Sequence, residues 1–237
     1  MCAKCVAQAL RRCRPQMGRG LQAKRVDAPP ARQEDLFDRL VHDLRNPLGV
    51  IAYFADAMAN AAAAEHNELC VRLHVNARRA LHVLEEFSLL SELRAGCDKA
   101  VHELGDIAEL IEELASELEG MERRPGRIRR RVELQIPRRA PRVHLTAALR
   151  ALLRVALRVS SGGGPVELSV REERGQVVMR IAVPLRTDPA IGVAVRLPTR
   201  GIEVELAERV AALHGGRYGV ELGPGIGVMT LAVPVAG

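Results

Sequence analysis

A histidine followed directly by an aspartate lies within the stretch Val41–Gly49. A neutral imidazole can attack phosphorus through its unprotonated ring nitrogen, so His42 is a candidate for carrying a phosphoryl group. The carboxylate of Asp43 can accept the proton of a ring nitrogen, which fixes the tautomer and raises the nucleophilicity of His42. These residue types in this order predict a phosphorylatable histidine.

Asn46 and Pro47 complete the same stretch within a predicted helix. Pro47 has no N–H, so the carbonyl of Asp43 loses its helical partner and we expect a bend that exposes the turn of His42. Asn46 lies four residues after His42, on the same helical face, and can orient a water for dephosphorylating a partner's aspartate. A less specific interpretation is an exposed histidine beside an ordinary aspartate, but the complete run on one helix favours the phosphoacceptor.

Two long amphipathic helices are predicted around this stretch, one from about residue 32 and one over about 65–94, ended by Gly96. Apolar residues recur in each at intervals of three and four. These stripes are Phe37, Leu40, Val41, Leu44, Leu48, Ile51, Ala55 and Met58 in the first helix, and Leu69, Leu73, Ala77, Ala80, Leu84 and Phe87 in the second. A lone antiparallel hairpin cannot cover both stripes, so we expect two hairpins to form a four-helix bundle in a homodimer.

The run His42–Leu48, with Leu89–Arg94 at the end of the second helix, resembles the dimerisation and phosphoacceptor domain of bacterial two-component sensor histidine kinases. The resemblance implies that His42 is the phosphoacceptor. It also implies that the partners are response-regulator receiver domains, and we expect Arg45 to belong to the surface that binds them.

After Gly96 the pattern predicts an α+β sandwich, with one mixed sheet and helices on one face. Helices are predicted at about 106–119, 144–159 and 202–214, and strands at 132–136, 166–171, 176–183, 218–222 and 228–233. From about Asp106 the chain resembles, in patches, the ATP-binding domain of the same kinases. The expected domains are a disordered basic leader at 1–31, the hairpin at 32–96, and a degenerate kinase-like ATPase domain at 97–237.

Three positions depart from the nucleotide-binding pattern of that family. Val155 stands where the family has the asparagine that holds Mg²⁺, Arg186 where it has the aspartate that binds adenine, and Glu203 where it has a glycine beside the phosphates. Valine offers no oxygen to a hard cation, and a glutamate would repel the triphosphate. We therefore expect the chain to bind no cofactor and no metal by itself.

Composition narrows the classes of partner. The net charge is +6, but aromatic residues make up only 2% of the chain and acidic residues are interspersed with the arginines, so we expect an acidic protein partner and no nucleic acid. No apolar run reaches the roughly 18 residues of a membrane span, and the N-terminus lacks the apolar middle of a signal peptide. A cytoplasmic protein without membrane contact is predicted. Cys2, Cys5 and Cys13 lack an evident fourth metal ligand.

Three functions are compatible with these expectations. The first is a phosphorelay phosphotransferase, in which His42 exchanges a phosphoryl group with receiver aspartates and the receiver supplies Mg²⁺; this resembles dimeric histidine phosphotransferases that keep a kinase-like bundle. The second is an active cytosolic sensor histidine kinase with a divergent ATP site, and it alone requires ATP. The third is a non-catalytic receiver-binding regulator, or a phosphatase that uses Asn46.

Overall fold

Two antiparallel helices begin the part of the protein that the structure, a computed structural model, describes. The described residues are 33–60, 66–96, 103–122, 126–134, 138–160, 164–185, 197–198, 201–223 and 225–234. The predicted leader at 1–31, with its cysteines, lies outside them, as does Arg186.

Helix α1 spans Gln33–Asn60 and helix α2 spans His66–Arg94, which confirms the predicted hairpin. The start of α2 is tied to the end of α1, because Nε2 of His66 lies 3.0 Å from the backbone oxygen of Met58. Gly96 adopts a φ of 68° just beyond α2, a conformation that glycine accepts without strain and that ends the helix. Within the described parts of the chain, no helix combines the length and apolar character that crossing a bilayer demands.

The apolar stripe of each hairpin helix is divided between two environments. On α1, Leu40 is buried, whereas Phe37, Val41 and Leu48 are exposed. On α2 the buried apolar residues are Ala80, Val83, Leu89 and Leu90, and the exposed ones are Leu81 and Leu84. From the sequence, the apolar stripe of each helix was expected to be covered within a four-helix bundle. The structure instead uses part of each helix against the C-terminal region and leaves another apolar part uncovered.

The C-terminal region is an α+β sandwich, as the sequence predicts. Its elements are β1 (Leu104–Asp106), α3 (Ile107–Glu122), β2 (Ile128–Glu133), β3 (Arg139–Pro141), α4 (Arg142–Val159), β4 (Val166–Glu173), β5 (Gln176–Pro184), α5 (Ile202–Leu213), β6 (Arg217–Gly223) and β7 (Ile226–Pro234). Five strands form a mixed sheet in the order β2-β4-β5-β7-β6. The pairing of β2 with β4 is parallel and the other pairings are antiparallel.

Two details of the sandwich differ from the prediction. The first strand was expected at 132–136 but β2 lies at Ile128–Glu133. It is an edge strand, so its exposed positions can carry arginines that hide the alternation of apolar residues. The second difference is an unpredicted antiparallel pair of three-residue strands, β1 and β3. Strands this short contain too few alternating positions to be recognised in sequence.

The core of the sandwich lies between the five-stranded sheet and helices α3, α4 and α5. Strand β5 contributes alternate residues to it, including Val177, Met179 and Ile181. Helix α3 is held at its start by Asp106, whose Oδ1 accepts hydrogen bonds from the backbone N–H groups of Ala108 and Glu109 at 2.8 and 3.1 Å. The same apolar cluster continues into the hairpin, so the hairpin and the sandwich share one core.

Leu90 is the most deeply buried apolar residue of α2, with an exposed fraction of 0%. Replacing Leu90 with alanine is expected to lower the free energy of unfolding by about 2–5 kcal/mol, since it removes buried methyl groups and leaves a cavity. Urea unfolding followed by circular dichroism measures the loss. The matched control is Leu213→Ala on α5, where the leucine is 45% exposed and the expected loss is below about 1 kcal/mol. Equal losses in the two variants would contradict the shared core.

Candidate phosphoacceptor site

Helix α1 presents His42 to solvent. Its neighbours on either side, Leu40 and Leu44, pack against the shared core, whereas the side chain of His42 is 84% exposed. Helix α1 continues through Pro47, which is buried, as far as Asn60. Because proline cannot donate a backbone hydrogen bond, the carbonyl of Asp43 has no helical N–H four residues later. His42 therefore lies on the solvent-exposed face of a helix whose opposite face packs against the core.

Asp43 holds the ring of His42 through one nitrogen. The distance between Nδ1 of His42 and Oδ1 of Asp43 is 3.2 Å. An ionised carboxylate only accepts hydrogen bonds, so this contact places the proton of a neutral ring on Nδ1. The lone pair then belongs to Nε2, the ring nitrogen available for attack. The orienting role of Asp43 stays a prediction, and the structure places its carboxylate within reach of Nδ1.

A shallow concavity surrounds His42 along one face of α1. Its residues follow the helical spacing of three and four: His42, Arg45, Asn46, Gly49, Val50, Tyr53 and Phe54. Arg45 adds a cation that can bind a phosphoryl oxygen or a carboxylate, and Asn46 adds an amide. The ring of Tyr53 is 68% exposed at the far end. Cationic, amide and aromatic groups beside one exposed nucleophile can bind an anionic protein surface.

Three of the residues that line this concavity, His42, Arg45 and Asn46, are also candidate site residues from the sequence. The structure brings His42, Asp43, Arg45 and Asn46 together on two turns of α1. Phe54 was missed because it lies beyond the stretch Val41–Gly49, from which the candidate residues were taken. Its ring is 5.4 Å from that of Tyr53 in an edge-on arrangement. Continuing the helical spacing of three and four along α1, from His42 through Asn46 and Val50, reaches Phe54.

Gly49 is an exposed helical glycine in the floor of the concavity, and a Cβ atom built on it would meet no atom within 4 Å. We expect Gly49→Ala to raise the free energy of unfolding by about 0.5–1 kcal/mol, because alanine loses less backbone freedom on folding. Urea unfolding measures the gain. Gly120→Ala on α3 is the matched variant, since Gly120 is also helical and equally uncrowded. A loss of stability in Gly49→Ala but not in Gly120→Ala would indicate that another molecule packs against α1 at Gly49 and leaves no room for the added methyl group.

Two of the three positions predicted to oppose nucleotide binding lie in helices, Val155 in α4 and Glu203 in α5. Val155 is fully buried among the aliphatic side chains of the core. Glu203 is 7% exposed, and its Oε1 lies 3.4 Å from Nη2 of Arg158. Gly201, just before α5, has a φ of 147°, and a Cβ atom there would lie 3.0 Å from the carboxylate of Glu203. The valine offers no oxygen, and the carboxylate is already paired with an arginine.

Within the described ranges, no three or more His, Cys, Asp or Glu side chains are grouped so that they could hold a metal ion. Cys70, on the exposed side of α2, is a free thiol. The cysteines near the N-terminus lie outside the described residues.

Comparison with known proteins matches residues 32–96 to the family model of the His Kinase A (phospho-acceptor) domain. Among solved structures, the Acinetobacter baumannii histidine kinase AdeS is 14% identical with a TM-score of 0.57, over 83% of this chain and 98% of that chain. Full-length ShkA in complex with AMPPNP is 22% identical with a TM-score of 0.50, over 87% of this chain and 46% of that chain. No curated protein sequence matches this chain significantly. These similarities show that this chain shares its fold with the two kinase structures.

Proposed function

We propose that this chain is a phosphorelay protein of the two-component histidine kinase family, because residues 32–96 match the family model of the His Kinase A (phospho-acceptor) domain. In this proposal His42 accepts a phosphoryl group from the aspartate of one response-regulator receiver and passes it to another. The observation that carries the proposal is the His42–Asp43 contact of 3.2 Å on a side chain that is 84% exposed. It leaves Nε2 free toward an approaching protein.

The transfer requires no proton movement. The lone pair of His42 Nε2 attacks the phosphorus of the receiver's aspartyl phosphate. The N–P bond forms as the P–O bond to the aspartate breaks, and the aspartate leaves as a carboxylate. The ring then carries a positive charge, since Nδ1 keeps its proton, and the adjacent Asp43 stabilises that charge. The return transfer reverses each step.

The groups beside His42 support the binding of an acidic receiver. Arg45 and Asn46 lie in the same concavity and can bind oxygens of the phosphoryl group or of acidic side chains. Phosphoryl transfer depends chiefly on positioning and charge, so a surface of this kind suffices once the receiver supplies Mg²⁺. Helix α5 contacts both hairpin helices, which supports a role for the sandwich in bracing the receiver.

A homodimer belongs to the same proposal. The hairpin leaves large apolar side chains in solvent, namely Phe37, Val41, Leu48, Leu81 and Leu84. A second hairpin would cover them in a four-helix bundle and would place two phosphoacceptor histidines in one particle. Receivers act in the cytoplasm, and the proposal therefore implies a cytoplasmic protein.

We propose further that the protein does this without binding ATP. The support is the burial of Val155 in the core and the pairing of Glu203 with Arg158. The alternative of an active kinase rests on the complete phosphoacceptor stretch around His42. The alternative of a phosphatase or receiver-binding regulator rests on Asn46, which lines the concavity beside His42.

Two labelling reactions test the proposal. The purified full chain is incubated with Mg²⁺ and γ-labelled ATP, and separately with receiver domains from the same genome phosphorylated by labelled acetyl phosphate. We expect acid-labile label on the chain in the second reaction and none in the first.

Each result selects one function. Label from ATP that depends on His42 would establish a kinase and overturn the proposal of a chain without nucleotide. Faster loss of the receiver's phosphate with no label on the chain would establish the phosphatase. If receivers bind but their phosphoryl group is neither transferred nor hydrolysed, the protein is a non-catalytic receiver-binding regulator.

A further inference from the structure

One face of α4 carries three arginines at intervals of four residues, Arg150, Arg154 and Arg158, called here the arginine row. Nη1 of Arg154 donates to Oε1 of Glu86 on α2 at 2.9 Å. Nη2 of Arg158 lies 3.4 Å from Oε1 of Glu203 on α5. The arginine row therefore connects the sandwich to the hairpin as well as α4 to α5.

Further ion pairs surround the same junction. Arg150 contacts Glu85 of α2 at 3.3 Å and Glu117 of α3 at 3.4 Å. At the end of α2, the guanidinium of Arg94 donates two hydrogen bonds to Glu205 of α5, at 2.7 and 2.6 Å. Paired bonds of this geometry fix orientation as well as distance. The hairpin and the sandwich are thus held by charges at both ends of their apolar contact.

Glu86 is the buried member of this network. It is 1% exposed, whereas the side chain of the adjacent Glu85 is 64% exposed. The charged groups that face Glu86 are Arg154 and Arg150 of α4, Glu203 of α5, and Glu85 on its own helix. Burial raises the pKa of Glu86 to about 7; Arg154 and Arg150 act in the opposite direction, and the two glutamates act in the same direction.

His82, one turn earlier on α2, lies 3.1 Å from Glu117. Burial, followed by the charge of Arg150, lowers the pKa of His82 to about 4, although Glu117 raises it. Arg154 and Arg78 also lower this pKa. His82 is therefore neutral throughout the physiological range, and Glu86 carries the change of charge at this junction near neutral pH.

We propose that the arginine row is a clamp that closes the sandwich on the hairpin, and that uptake of a proton by Glu86 tightens it. Glu86 is covered because α4 and α5 lie against α2, so separating them returns its carboxyl group to water. The closed form then binds the proton more tightly than the open form, and acid favours closure. The clamp does not depend on the function proposed above, because it concerns the relative position of two parts of one chain.

The sign and size of the effect follow from linkage. With a pKa of about 7 in the closed form and 4.5 in water, Glu86 in the closed form is about nine-tenths protonated at pH 6 and about one-tenth protonated at pH 8. The ratio of closed to open molecules is then expected to fall about tenfold as the pH rises from 6 to 8. Glu86→Gln resembles the protonated acid, so its ratio is expected to stay constant over this interval.

Pulsed electron paramagnetic resonance on the full chain measures this ratio. One spin label is placed on the native Cys70 of α2 and one on a cysteine introduced at Ser169 of β4, with the remaining cysteines replaced by serine. Labelled protein is diluted with unlabelled protein so that only distances within one chain contribute. In the parent chain, we expect the fraction of molecules with the longer, open distance to increase from pH 6 to pH 8. In Glu86→Gln, we expect the closed distance at both pH values.

Two variants separate the clamp from a general effect of charge. Glu85→Gln removes an exposed glutamate that also contacts the arginine row; because Glu85 is the smallest contributor to the raised pKa of Glu86, this variant is expected to keep a pH response in the same direction as the parent chain. Arg154→Gln removes the partner of Glu86 and is expected to increase the open distance at pH 8. One unchanged distance distribution in the parent chain at both pH values would overturn the proposal. So would equal behaviour of the Glu85 and Glu86 variants, or no effect at Arg154.

Discussion

The His42→Gln variant is expected to accept no phosphoryl group from a phosphorylated receiver, a loss of more than about 10³-fold in the transfer rate. Glutamine has a similar length and polarity, but its amide nitrogen has no lone pair available for attack on phosphorus. The measurement is the time course of label on the chain, separated from the receiver by gel electrophoresis without acid or heat.

His74 supplies the matched control, because it is an exposed histidine on the neighbouring helix α2. His74→Gln should take up label at the rate of the parent chain, and both variants should unfold at the same urea concentration as the parent. Residual transfer in His42→Gln would show that another side chain carries the phosphoryl group. It would leave the match of residues 32–96 to the phosphoacceptor-domain model unaffected and would remove only the proposed role of His42.

The Asp43→Asn variant is expected to slow the transfer by about 10²–10⁴-fold, the range associated with a side chain that assists at the reacting group. Asparagine preserves the size of the side chain, which lies 3.2 Å from Nδ1 of His42, but removes the negative charge. It can also turn its amide N–H toward Nδ1, which would place the proton of the ring on the attacking nitrogen. A rapid-quench single-turnover experiment with phosphorylated receiver gives the rate.

Asp56→Asn provides the comparison for Asp43, since Asp56 is an exposed aspartate on the same helix and lies outside the concavity. Its transfer rate is expected to match that of the parent chain. If Asp43→Asn transferred at the parent rate as well, the 3.2 Å contact would be incidental, and the orientation of His42 would have to come from the receiver.

The sequence was sufficient for those parts of the fold in which one periodic pattern dominates. The apolar spacing on α1 and α2 placed both helices within a few residues, and the alternation in β5 gave its bounds closely. The phosphoacceptor stretch was also readable, because His42, Asp43, Asn46 and Pro47 are neighbours in sequence. A helix brings residues at such spacings together without help from the rest of the chain.

The junction between hairpin and sandwich could not be read in this way. Glu86 follows Glu85 in a helix with many charges, and in sequence both are typical of a solvated face. Their difference arises from α4 and α5, which cover one glutamate and leave the other exposed. Arginines at 150, 154 and 158 likewise indicate a polar face, and their spacing on one helix does not predict which glutamates of other helices they bind. Such contacts depend on tertiary packing between distant segments.

The complete burial of Leu90 in a core that continues into the sandwich bears on how this protein can be recombined with its relatives. Grafting the hairpin alone onto another protein would expose the apolar surface of α2 that now lies against α4 and α5, including Leu90. A chimera that keeps the chain intact from α1 to β7 retains both the apolar contact and the arginines that pair with it. The unit of exchange is therefore the hairpin and sandwich together, and a crossover placed near Gly96 is expected to yield insoluble halves.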